Sequence, residues 1–90
     1  MTHMTEKELL EFPCLFPLKI MGLADPEFEV RIAEVVKKHD PTFDVHSITK
    51  RQSNKGRYLA LNVVITASSR EQLDALYMEL THHPMVKVVL

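Results

Sequence analysis

Four apolar stretches with a strand-like period of two alternate with two amphipathic helical stretches, in the order β-α-β-β-α-β. That rhythm predicts an α+β domain. Two further observations support it. Each helical stretch opens on a capping residue and closes before a proline. The 90 residues also leave room for only one core, since a chain of this size buries roughly 60–65% of the surface it exposes when unfolded. One domain over residues 1–90 is therefore expected, with 1–14 as an N-terminal extension.

The extension opens on Thr5-Glu6-Lys7-Glu8, a capping-box pattern. With Leu9, Leu10 and Phe12 it suggests a short helical turn that ends at Pro13. Leu15 to Gly22 reads as the first strand. Phe16, Leu18 and Ile20 alternate with Pro17, Lys19 and Met21, and the first set is expected to face the core. Pro17 cannot donate to a ladder, so it belongs near the strand start or against an unpaired side.

Asp25 is a good N-cap, and Pro26 suits the first helical position. The helix runs to about His39. Phe28, Ile32, Val35, Val36 and His39 form one stripe, and Lys37, Lys38 and His39 favour the negative end of the dipole. Asp40-Pro41 stops the helix. The second strand, roughly Asp44 to Gln52, is the least regular: Val45 and Ile48 differ in parity, which implies a bulge or a loosely specified edge. Ser53 to Gly56 makes a hairpin turn, with Gly56 at the left-handed position.

Arg57 to Ala67 is the clearest strand. Leu59, Leu61, Val63, Ile65 and Ala67 line one face; Tyr58, Ala60, Asn62, Val64 and Thr66 line the other. This is the pattern of a central strand with one buried face. Ser68 or Ser69 caps the second helix, in which Leu73, Leu76, Tyr77 and Leu80 recur at helical spacing and which ends near His82-His83. Met85 to Leu90 is the last strand, with Val86, Val88 and Leu90 on one face and Lys87 and Val89 on the other. Right-handed crossovers join two strand-helix-strand halves into a ferredoxin-like βαββαβ sandwich: a four-stranded antiparallel sheet of order 4-1-3-2 with two helices on one face.

Composition narrows the function classes. The net charge is -1, whereas dedicated nucleic-acid binders usually carry a strong basic excess. A single cysteine, Cys14, excludes an intramolecular disulfide and a CxxC motif, and suits a reducing compartment. No apolar run approaches the roughly 18 residues of a membrane span, and the N-terminus lacks a signal-peptide pattern. A cytoplasmic protein without a membrane association is expected.

Glu8 to Pro13, Phe16 to Gly22, Ser53 to Tyr58, Leu76 to Leu80 and Val86 to Leu90 together resemble the YbeD family of small bacterial proteins, over residues 8–90. The resemblance implies an ACT-like ferredoxin fold, close to the small-molecule-sensing domains of amino-acid metabolism; the family itself has no established activity. In ACT domains the turn after the first strand often reads glycine, then aspartate, proline and glycine before a hydrophobic residue. Here Gly22-Leu23-Ala24-Asp25-Pro26-Glu27-Phe28 keeps all but the second glycine, where Glu27 stands.

Three candidate sites emerge. The turn with Gly22, Leu23, Asp25 and Pro26 is a candidate small-metabolite site, its helix N-terminus favouring an anionic group; turn-and-cap chemistry accounts for the same residues. Lys50, Arg51, Lys55 and Arg57 surround the hairpin and form the one dense basic cluster, an anion or partner patch; charges there also protect an exposed edge. Met21, Tyr58, Ala60, Val64 and Val89 are expected on the open sheet face as an apolar patch suited to self-association or to a protein partner.

Lys55 to Ala60 faintly echoes an RNA-recognition strand, but only Tyr58 supplies a ring for base stacking. The histidines at 3, 39, 46, 82 and 83 share no zinc spacing, and no catalytic or nucleotide-binding motif occurs. No cofactor and no metal are expected. The sequence favours a non-enzymatic regulatory, sensing or protein-interaction module, with a nucleic-acid-associated protein acting through the basic hairpin as the alternative.

Overall fold

The computed structural model describes residues 11–90. The capping box at Thr5 to Glu8 and the turn through Leu9 and Leu10 lie outside the described residues. The elements follow the expected order: β1 (Cys14–Leu23), α1 (Pro26–His39), β2 (Thr49–Gln52), β3 (Tyr58–Ala67), α2 (Arg70–Thr81) and β4 (Val86–Val89). Cys14 thus opens β1 rather than closing the extension. All strand pairs are antiparallel, and the spatial order is β2-β3-β1-β4, the expected order read from the other edge.

Both helices lie on one side of the sheet, because each is amphipathic and the sheet offers one apolar face to both. Phe28, Ile32, Val35 and Val36 of α1 and Leu76 and Leu80 of α2 pack with Leu18, Ile20, Leu61, Val63 and Ile65 in one buried cluster. Asp25 caps α1, its Oδ1 accepting from the Glu27 amide at 2.8 Å. Ser69 caps α2, its hydroxyl accepting from the Gln72 amide at 3.0 Å; Ser68 instead donates its own amide to Gln72 Oε1.

Pro17 takes the place its chemistry requires. Lys19 and Leu90 exchange two backbone hydrogen bonds, of 3.0 and 2.8 Å, so odd-numbered amides of β1 point toward β4. β4 pairs only alongside the second half of β1. The absent Pro17 N–H therefore falls on the unpaired side, where it also discourages strand addition.

Three details differ from expectation. A 3-10 turn at Val45–Ser47, capped by Asp44, precedes β2 and shortens it to four residues. This turn, not a bulge, lets Val45 and Ile48 both pack against the core. Phe43 is 3% exposed; the turn closed by its amide on the Asp40 carbonyl at 2.9 Å carries it into the core. In the hairpin both Lys55 and Gly56 are left-handed, at φ 66° and 65°.

The fourth correction concerns β4. Its register against β1 shifts between Met21 and Gly22, so that Gly22 pairs with Val86 and Met21 with Val88. The extra residue reverses the parity of the strand. Val86 and Val89 pack against the core, and Val88 takes the open-face place expected of Val89.

Candidate functional site

In the turn after β1, the backbone is already committed. The Leu23 amide donates to the Met85 carbonyl, Ala24 to Arg57, Asp25 to Leu23 and Phe28 to Asp25, at 2.8–3.2 Å. The Glu27 amide donates to the Asp25 side chain, and Pro26 has no amide hydrogen. Gly22 is small for an internal reason: a Cβ there would overlap the Met85 carbonyl oxygen and stand 2.5 Å from Cζ of Phe28. The space that a glycine leaves for a ligand's approach is filled by the protein's own ring and the backbone just ahead of β4. A recess of about 380 Å³ beside the turn is lined by Asp25, Pro26, Lys50 and Gln52, but its one carboxylate disfavours an anion.

The basic cluster does not act as one patch. Lys50 pairs across the sheet with Leu61, so its side chain leaves on the helix side, where its Nζ meets Glu29 of α1 at 2.8 Å. Arg51 leaves on the opposite face. Lys55 and Arg57 are exposed at and just after the hairpin tip. Strand parity thus separates residues that are adjacent in the chain.

The open face of the sheet is where sequence-predicted residues do converge. Cross-strand pairing places Arg51, Ala60, Met21 and Val88 in one row, and Thr49, Asn62 and Lys19 in the next, beside Leu90. Tyr58 and Leu23 pair at one end of the face; Val64 and Pro17, then Thr66 and Leu15, continue it at the other. Nine large apolar side chains are exposed among the described residues, and six belong to this face: Leu15 (73%), Leu90 (67%), Val64 (49%), Val88 (44%), Tyr58 (42%) and Leu23 (41%). Leu15, Leu23, Val88 and Leu90 were missed as members of the patch. The parity of β1 carried the signal for the first two; the β4 bulge concealed the others.

Two polar clusters join elements on the helix side. Asp40, 3% exposed, accepts from Thr42 Oγ1 at 2.6 Å, from the Thr42 amide at 3.1 Å and from the Thr66 amide at 2.8 Å. Burial raises its pKa, but these hydrogen bonds and the Lys37 charge outweigh it, so the carboxyl ionises below its ordinary value. Gln72 donates to the carbonyls of His39 and Thr66 at 2.9 and 3.1 Å, tying α1, α2 and β3 together. Glu79 accepts from Lys38 at 2.7 Å and meets His39 Nε2 at 2.8 Å. The Lys38 hydrogen bond, then that from His39, lowers its pKa against a smaller opposing effect of burial. Among the described residues no buried side-chain nitrogen or oxygen lacks a hydrogen-bond partner. An open groove of about 620 Å³ between α1 and the 3-10 turn has Val30, Ala33, Val45 and Ile48 within a rim of mixed charge. Among the described residues no group of three or more His, Cys, Asp or Glu could hold a metal ion, and no helix is long and apolar enough to cross a membrane.

Residues 7–90 match the model of a family described as "Protein of unknown function (DUF493)". The chain is 53% identical over 85 residues to a UPF0250 protein of Chromobacterium violaceum, covering 94% of this chain and 96% of the relative. It is 50% identical over 91 residues to one of Neisseria gonorrhoeae, covering 97% and 100%. The solution structure of protein HP0495 from H. pylori superposes with a TM-score of 0.73 at 13% identity, covering 90% of this chain and 85% of that one. That likeness confirms the ferredoxin-like fold, and the sequence matches place the chain in the DUF493 (UPF0250) family, the YbeD family its motifs resemble.

Proposed function

We propose that this protein acts by binding rather than by catalysis, as a regulatory interaction module that docks a protein partner on the open face of its sheet. The carrying observation is the concentration of six exposed large apolar side chains on one side of a small domain. Contiguous exposed apolar surface commonly marks an interaction site, whereas singly scattered residues do not. Sensing of a small metabolite through the Gly22 to Phe28 turn has weaker support, because the amides that would hold it already have partners. Binding of nucleic acid has weaker support too: Lys50 is paired with Glu29, and Tyr58 is the one aromatic ring on the open face.

A photoreactive phenylalanine analogue placed at Val64, and separately at Met78 on the outer surface of α2, tests this reading in cells. Both positions are exposed, 49% and 60%, so neither substitution removes a buried side chain. A protein adduct is expected from position 64 and not from position 78. Absence of an adduct specific to the sheet face would refute the docking role.

A further inference from the structure

The charge of the open face selects its occupant. None of the four strands carries an aspartate or a glutamate; their charged residues are Lys19, Lys50, Arg51 and Lys87. The aspartates and glutamates among the described residues lie on the helices, in connecting segments or, for Glu11, ahead of β1. Lys19 and Arg51 stand exposed on the open face, Arg51 in the row of Ala60, Met21 and Val88 and Lys19 in the next, and neither belongs to an ion pair among the described residues. On the helix side Lys38 pairs with Glu79, Lys50 with Glu29 and Arg31 with Glu27. A largely apolar surface whose charged side chains are cations outside any ion pair complements an apolar surface edged by carboxylates.

Size points to the form of that surface. Four strands at about 4.8 Å spacing make the face about 14 Å wide, and the rows from Tyr58 to Thr66 span about 27 Å. The rectangle between the outer strand axes is thus about 400 Å² in projection, before side chains extend it. A second copy laid face to face would bring Lys19 and Arg51 against like charges, with no aspartate or glutamate of the strands to answer them. A single helix of about 18 residues is about 27 Å long and 10–12 Å wide, which matches the face in both dimensions.

We propose that the occupant is an acidic amphipathic helix of a partner protein, lying along β1 and β3 with its apolar stripe on Met21, Ala60 and Val64 and its carboxylates toward Lys19 and Arg51. This rests on the docking role proposed above and specifies its partner. The test uses two synthetic 18-residue helical peptides with the same leucine stripe, one flanked by glutamates and one by lysines, titrated into the full chain and followed by amide chemical shifts. The glutamate peptide is expected to bind at least ten-fold tighter, to weaken with added salt, and to shift the amides of Lys19, Met21, Ala60 and Val64. In Lys19→Glu/Arg51→Glu, whose altered side chains are exposed, the preference should fall to parity or reverse. Equal affinities, binding of neither peptide, or shifts gathered on α1 and α2 would overturn the proposal. The photoreactive chain separates the two levels. An adduct from position 64 with a second copy, or with an acid-poor segment, would leave docking intact and sink the acidic helix; no adduct there would sink both.

Discussion

Replacing Gly22 by alanine distinguishes a glycine kept for a ligand from one kept for packing. In the structure the new methyl would overlap the Met85 carbonyl oxygen and lie 2.5 and 2.6 Å from two carbons of the Phe28 ring. The first obstacle is the backbone just ahead of β4, held by the Leu23 amide on the Met85 carbonyl. The second is a fully buried side chain in the middle of the core. Neither can retreat freely. Overpacking of this kind typically destabilises by about 1–3 kcal/mol, against a total stability of about 5–13 kcal/mol for a chain this long. In urea, with an m-value of about 1–1.5 kcal/mol/M, the unfolding midpoint should fall by about 0.7–3 M. Phe28→Leu withdraws the ring atoms nearest the methyl at the expense of a cavity. Gly22→Ala/Phe28→Leu should therefore be less destabilised than the sum of its single variants, by about 0.5 kcal/mol or more. An unchanged midpoint in Gly22→Ala, or strict additivity of the pair, would refute the packing account and reopen the turn as a ligand site.

Two other perturbations follow from the geometry. Asp40 ionises below its ordinary value of 3.8, so its contribution to stability is complete above about pH 4 and is lost as pH falls through the lower, folded-state value. Asp40→Asn should cost about 1–3 kcal/mol at neutral pH, and the gap from the native chain should narrow below about pH 4; a gap of constant size from pH 7 to the acid limit would contradict the assignment. Pro17→Thr restores an amide hydrogen on the unpaired side of β1 and should raise concentration-dependent association in light scattering, whereas no change at any concentration would show that this edge needs no protection.

Much of this was legible in the chain. The parity of β3 named both faces correctly: its five core-side residues are at most 9% exposed, while Tyr58 and Val64 remain open. The stripe of α1 and the caps at Asp25 and Ser69 were equally local signals. Met21, Tyr58, Ala60 and Val64 stand on the open face as expected, Leu15 and Leu23 of β1 join them, and Val89 does not, because a bulge is defined by a neighbour's register and leaves no mark in a four-residue strand. The basic hairpin failed in another way. Lys50 and Arg51 are adjacent in sequence, and a pleated strand sends adjacent side chains to opposite faces.

Periodicity and capping depend on residues within a few positions of one another, so the sequence determined the elements, their order and the burial of the faces of β1 and β3. Three features required the assembled sheet: the shift of β4 that exchanges Val89 for Val88, the filling of the Gly22 space by Phe28 and Met85, and the removal of Lys50 by Glu29. Each joins residues far apart in the chain, and their separation is set only when strands and helices settle into register. The cations of the open face stand between the two. The absence of carboxylates from the strands can be read from the chain, but that Lys19 and Arg51 share one unpaired surface is a property of the fold.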